Sequence, residues 1–223
     1  MIGITLTSND SQYRDLAFEA SERFTRYTGC VCNILQTPTA GNYSAKLQLW
    51  KMFTNTNQSF CFFDCDNWLM RDCDLKQFDN HKDFIGVTDS LGQIQSPSNW
   101  PDSFTHIDAV RHGIPFDQMI NGGFWIANAK HHQHIFEKAL SDLRDPNVEF
   151  DDFGEQSSLS KAIYESEGVL KQLPVEYNCM VGGSTERKDI CDNPYFVHAA
   201  GMKIELKMEY LLNQEIELNA NKS

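Results

Sequence analysis

Ser59-Phe60-Cys61-Phe62-Phe63-Asp64-Cys65-Asp66 is an apolar run that ends in two carboxylates one residue apart. Bounded by Asn57 and Asn67, it reads as a buried strand, in which side chains two apart point the same way. Asp64 and Asp66 are therefore expected to converge on one spot. In an open α/β sheet that spot is the crevice beyond the strand's carboxyl end, where such folds bind ligands. Two hard oxygen donors there suit Mg²⁺ or Mn²⁺, and a divalent ion suits a diphosphate. The same tripeptide recurs as Asp72-Cys73-Asp74, but no buried strand delivers it to a sheet edge.

Outward from this run, the elements alternate, which argues for a mostly parallel sheet with helices on its faces. Ile2 to Thr7 reads as a first strand, and Ser8-Asn9-Asp10-Ser11 caps a helix running to about Tyr27. Cys30 to Leu35 is a second strand, and the apolar spacing of Leu47, Leu49, Trp50 and Phe53 predicts a helix over Ser44 to Phe53. Phe84 to Thr88 is a further strand. The stretch from Ser90 to Asp117 is polar and without clear period, and such long irregular segments serve as lids or binding loops. Met119 to Asn128 reads as a strand interrupted by Gly122 and Gly123, with a helix from about Lys130 to Leu143 behind it. Asp151 to Gln156 leads into a helix ending near Glu165, Leu170 to Pro174 and Tyr195 to His198 are short strands, and Ile204 to Ile216 is helical with an exposed charged face.

A chain of 223 residues at this size buries roughly 70% of its unfolded surface. The 41% hydrophobic and 22% charged content is that of a globular protein rather than a disordered one. No apolar run approaches the ~20 residues of a membrane span, and the start at Met1 lacks a basic region followed by a long apolar one, so a cytoplasmic chain is expected. The net charge of −12 argues against a nucleic acid polymer as partner. Seven cysteines without a Cys-x-x-Cys pair suggest reduced core thiols, and His131-His132-Gln133-His134 at a helix start reads as solvent-facing rather than metal-binding.

Several segments then line up in order. The chain resembles the GT-A glycosyltransferases, most closely the retaining glycogenin and lipopolysaccharide galactosyltransferase group, over roughly Met1 to Lys203. Thr7-Ser8-Asn9 resembles the turn that holds the donor nucleotide, and Tyr43 to Trp50 the helix whose lysine, here Lys46, contacts the donor. Phe62-Phe63-Asp64-Cys65-Asp66 matches the Asp-x-Asp motif. Asn121-Gly122-Gly123-Phe124 resembles the segment beside the donor sugar, Asp152-Phe153-Gly154-Glu155-Gln156 the Asp-x-x-Asp-Gln motif, and Leu173 to Asn178 the Leu-Pro-x-x-Tyr-Asn motif. Val197-His198-Ala199-Ala200-Gly201 resembles the His-x-x-Gly that supplies a third metal ligand. Two departures are visible: Glu155 stands where the group has Asp, and Lys203 follows Gly201 by two residues where the group's lysine follows by three.

The resemblance implies an α/β GT-A fold, Rossmann-like, in one domain over residues 1–203, with 204–223 a C-terminal helix and a frayed tail or linker. It implies a metal ion, Mn²⁺ or Mg²⁺, on Asp64, Asp66 and His198, and a nucleotide-sugar donor, a UDP-hexose, contacted by Thr7, Ser8, Asn9, Lys46, Asn121, Gly122, Gly123, Gly201 and Lys203. Catalysis would fall to Glu155, with Asp152 and Asn121 orienting sugar hydroxyls and Gln156 near the anomeric face. The acceptor would be a hydroxyl of a glycan or glycoprotein, reached through the loops Ser90 to Asp117 and Gly182 to Asn193. The alternatives are a GT-A-like nucleotidyltransferase, an idle sugar-nucleotide-binding domain of a larger protein, and a phosphohydrolase using paired aspartates.

Overall fold

The structure, a computed structural model, describes residues 1–37, 43–54, 56–89, 104–151, 154–166, 170–181 and 191–220. Among these, the strands in chain order are β1 (Ile2–Thr7), β2 (Cys32–Gln36), β3 (Ser59–Phe63), β4 (Asn67–Leu69), β5 (Phe84–Thr88), β6 (Ile120–Asn128), β7 (Leu170–Gln172), β8 (Cys179–Met180) and β9 (Phe196–His198). The helices are α1 (Ser11–Thr28), α2 (Phe104–His112), α3 (Ala129–Arg144), α4 (Glu155–Glu165) and α5 (Ile204–Ala220).

Six strands form one sheet in the order β2-β1-β3-β6-β5-β7, in which β6 alone runs against its neighbours. This is the mostly parallel α/β architecture expected from the alternation of elements. β3 is buried along its whole length because both faces of the sheet are covered. Phe60 and Phe62 pack with Trp125 and with Phe136 of α3, while Cys61 and Phe63 pack on the other side with Phe24 of α1 and with Phe196. A strand covered on both faces must be apolar at every position, which is why the run reads as continuous rather than alternating.

A small sheet, β4-β9-β8, continues past the end of β3. Its register sets Asn67 opposite His198. α1 begins at Asp10, whose carboxylate accepts from the Gln12 N–H at 2.8 Å, and ends at Gly29 with φ of 65°, the left-handed geometry that glycine takes freely. Ser44 to Phe53 coils as expected but as a 3₁₀ helix, Tyr43–Phe53. The segment expected to be irregular from Ser90 to Asp117 contains α2; residues 90–103 lie outside the described residues, as do Gly182 to Ile190 of the second expected loop. No described helix is long and apolar enough to cross a membrane.

α5 exposes Glu205, Glu209 and Glu217, but its outer face also carries Leu206, Leu212 and Ile216 and so is less charged than expected, and its inner face is not idle. Glu215 binds Arg23 of α1 at 2.6 Å and accepts from Tyr27, and Lys207 and Leu211 are buried. The helix is thereby tied to α1.

Candidate active site

Asp64 and Asp66 do converge, for a reason other than the strand period. β3 stops at Phe63, and Asp64-Cys65-Asp66 forms a reverse turn into β4, closed by the Asn67 N–H donating to the Asp64 carbonyl at 2.9 Å. Gly123 of β6 fixes the entry to this turn by accepting from the Asp64 N–H at 3.0 Å, and Ala199 fixes its exit by donating to the Asp66 carbonyl at 2.9 Å. The last contact brings β9, and with it His198, against the turn.

One potential ligand atom from each of Asp64, Asp66 and His198 lies within 4.8 Å of the others. The imidazole Nε2 is 3.5 Å from Asp66 Oδ1 and 3.9 Å from Asp64 Oδ2. Two carboxylates and one imidazole, drawn together from residues 64, 66 and 198, fit a divalent ion by donor type and by spacing. Among the described residues it is the one cluster of this kind.

Two ammonium groups border the cluster. Lys46 Nζ sits 2.9 Å from Asp64 Oδ1 and 3.1 Å from Glu155 Oε1, with the Gly122 carbonyl at 3.4 Å. Burial by itself would favour loss of its proton, but Asp64 and Glu155 outweigh that and hold Lys46 above the usual lysine range. Lys207, from α5, pairs with Asp66 Oδ2. Burial would raise the Asp66 carboxyl, yet the neighbouring His198 and Lys207 hold it well below the usual carboxylate range. Asp66 is thus kept charged despite its burial.

These residues line a cleft of about 330 Å³, within the size range of ligand pockets. Thr7 and Ser8 form one wall and Gly201 another; Gly122 and Gly123 lie between Lys46 and His198. Glu155 is buried in the first turn of α4, where the helix dipole favours an anion. Gln156 beside it accepts from the Gly122 N–H at 2.6 Å. Gly123 is required by packing: a Cβ there would come 2.2 Å from His198 Cε1.

The expected residues not gathered into the cleft are Asn9 and Lys203. Asn9 is exposed and bonded to Gln36, and Lys203 is exposed before α5. Asp152 lies outside the described residues. The buried cation near Asp66 is Lys207, one helical turn beyond Lys203. Sequence reasoning also missed Asp89, which sits just past β5 as Asp64 sits just past β3, and is 4% exposed. It accepts from Asn121 Nδ2, Gln156 Nε2 and Thr105 Oγ1 at 2.8, 2.8 and 2.9 Å. The rule that strand ends carry ligands would have found it.

The same architecture occurs in solved glycosyltransferases. The chain has the GT-A fold. The bifunctional glycosyltransferase WbbM matches over 98% of this chain at 12% identity and a TM-score of 0.63, and this chain spans 51%, about half, of that protein's length. A glycosyltransferase involved in the glycosylation of the major capsid of PBCV-1 matches over 94% of this chain and 98% of its own, at 13% identity and a TM-score of 0.58. Mouse xyloside xylosyltransferase 1 matches over 89% of this chain and 97% of its own, at 9% identity and a TM-score of 0.58. Neither a family model nor a curated protein matches the chain by sequence. At these identities the likeness speaks for the GT-A fold, and the chemistry has to be argued from the residues of the cleft.

Proposed function

We propose that the chain is a metal-dependent glycosyltransferase that moves a sugar from a nucleotide donor, a UDP-hexose, to a hydroxyl of a glycan or glycoprotein, with retention of configuration. The observation that carries this reading is the gathering of Asp64, Asp66 and His198 within 4.8 Å beside Lys46 and Glu155 in one cleft of a GT-A fold. A nucleotidyltransferase is less well supported, since Thr7-Ser8-Asn9-Asp10 is neither glycine-rich nor basic.

When bound, a divalent ion supplies Lewis acidity for a departing diphosphate, so that no proton need be delivered to the leaving oxygen. The nitrogen of His198 in the donor set favours Mn²⁺ over Mg²⁺. The chain's own residues do the rest. Lys46 is already charged, and it is positioned to share its charge between Asp64 and an anionic ligand. Glu155 supplies the carboxylate that stabilises positive character at an anomeric carbon or attacks it, the role such groups fill in retaining glycosidases. Lys46 holds its Oε1 in place at 3.1 Å. Thr7, Ser8 and Gly201 line the walls available to the nucleotide, Gly122 offers bare backbone to the sugar, and Asp152 is the remaining carboxylate for sugar hydroxyls.

The test is release of UDP from a panel of UDP-sugars with Mn²⁺ present, with thermal stabilisation by each donor measured alongside. Replacing both Asp64 and Asp66 with Ala is expected to lower turnover about 1,000-fold, equivalent to about 4 kcal/mol. Turnover unchanged in the double variant would refute the metal assignment. Stabilisation by Mn²⁺ and UDP with no turnover of any donor would favour an idle sugar-nucleotide-binding domain.

A further inference from the structure

His198 meets the metal-site carboxylates through Nε2, and its other nitrogen is not free. Nδ1 lies 3.0 Å from Asn178 Oδ1. Which atom carries the proton follows from groups whose polarity cannot change. The Gly123 N–H can only donate, and it points at Asn121 Oδ1 at 2.9 Å. That oxygen therefore accepts, and its second lone pair takes Asn178 Nδ2 at 2.8 Å. Asn178 consequently turns its oxygen to His198. The other side of the network gives the same answer independently: the Gly123 carbonyl can only accept, it takes Asn67 Nδ2 at 2.9 Å, and that amino group also donates to Asn178 Oδ1 at 3.1 Å.

We propose that Asn121 and Asn178 are positioning residues that fix a proton on His198 Nδ1 and so reserve Nε2 for the site formed by Asp64 and Asp66. Asp89 ends the chain of bonds as the acceptor for Asn121 Nδ2 at 2.8 Å. Asn121 is then not a ligand for sugar hydroxyls. A side-chain amide has two lone pairs and two protons, and all four are taken, by Gly123, Asn178, Asp89 and Met180 Sδ, the last at 3.2 Å. Asn67 and Asn178 are fully buried and His198 is 5% exposed, so water does not compete for these bonds. The consequence for metal affinity rests on the metal reading above; the tautomer does not.

The experiment uses the metal-free chain labelled with ¹⁵N-histidine, with the His198 signals identified by their loss in His198→Gln. Wild-type protein is expected to show Nδ1 of His198 protonated, whether or not Nε2 also carries a proton when no metal is bound. Asn178→Leu is expected to lose that signature and to bind Mn²⁺, read by electron paramagnetic resonance, 10- to 100-fold more weakly. Asn178→Asp keeps an acceptor opposite Nδ1 but removes the donor to Asn121 Oδ1, so it is expected to hold the proton on Nδ1 and to regain part of the Mn²⁺ affinity. An Nε2–H tautomer in the wild type overturns the proposal even if Asn178→Leu fails to fold, and so does a folded Asn178→Leu with unchanged signals and affinity. A wild-type protein with the Nδ1–H tautomer that binds no Mn²⁺ supports the lock and overturns the metal-dependent function.

Discussion

His198 and His132 are both buried, at 5% and 3% exposure, and both have defined neighbours at each ring nitrogen. At His132 both neighbours are backbone. Nδ1 accepts from the Asn128 N–H at 2.9 Å and Nε2–H donates to the Lys82 carbonyl at 2.8 Å, so the ring has spent its lone pair and its proton on structure. At His198 one nitrogen is spent on Asn178 and the other faces two carboxylates. The difference teaches that a buried histidine is a candidate ligand when its environment leaves a lone pair over, and that the count of nearby histidines in sequence says little. His131-His132-Gln133-His134 shows this: His134 is exposed, as expected of a helix start, but His132 turns inward as a tie between β6 and the loop before β5.

The sharpest way to break the contrast is at Gly123. Its absent side chain is what lets the imidazole of His198 lie against β6, with a Cβ there only 2.2 Å from Cε1 and 2.7 Å from Nδ1. Gly123→Ala must displace His198, since the backbone at residue 123 is held by β3 and the Asp64 N–H. Mn²⁺ affinity is expected to fall about 100-fold, with a loss of about 1–3 kcal/mol in folding stability from overpacking. Titration calorimetry and urea unfolding on the same sample would check both, and an unchanged Mn²⁺ isotherm would show that His198 is not a ligand.

At His132 the contrast is read through pH. Burial lowers its pKa from 6.5 to about 4, against a smaller opposing effect of its bond to the Lys82 carbonyl. The unfolded chain therefore takes up this proton first as pH falls. Stability from the neutral ring is complete above pH 6.5 and is lost between there and about 4. The whole effect is about 3 kcal/mol. Urea unfolding at several pH values should show the wild type losing this amount relative to His132→Gln, whose stability lacks that component; parallel curves would mean that His132 is not buried neutral.

How much of this was legible follows from the range over which each signal acts. The run Ser59 to Phe63 announced β3 because a strand buried on both faces leaves its mark on consecutive residues. Asp64 and Asp66 were found for the same reason, although their convergence comes from a turn. The second copy of the tripeptide follows β4, which ends at Leu69, but Asp74 accepts from the Lys76 N–H at 3.1 Å as the cap of a short 3₁₀ turn. His198 lies in a three-residue strand, too short to carry a period, and its identification needed the resemblance to a known motif. The amide network was beyond reach: Asn121 and Asn178 are 57 residues apart, and nothing local to either marks their meeting. Lys207 was hidden by its own chemistry, because on a helix with Glu205 and Glu209 a lysine reads as one more surface charge.

Lys207 offers the smallest and most discriminating change. Its ammonium occupies Asp66 Oδ2, an atom next to the proposed ion, and Asp66 is the main reason this lysine keeps its proton against burial. Lys207→Met retains most of the buried stem while removing the charge. Two opposing consequences follow. The metal-free chain should lose stability, because Asp66 is left 8% exposed with only His198 beside it. Mn²⁺ alone should bind about fivefold more tightly, about 1 kcal/mol, because a competitor for the same carboxylate is gone. No such gain is possible at His132, where no lone pair waits for an ion. Binding of Mn²⁺ that weakened in Lys207→Met would mean that the lysine helps to orient Asp66 rather than competing for it, and α5 would then be part of the metal site's scaffold instead of its counter-charge.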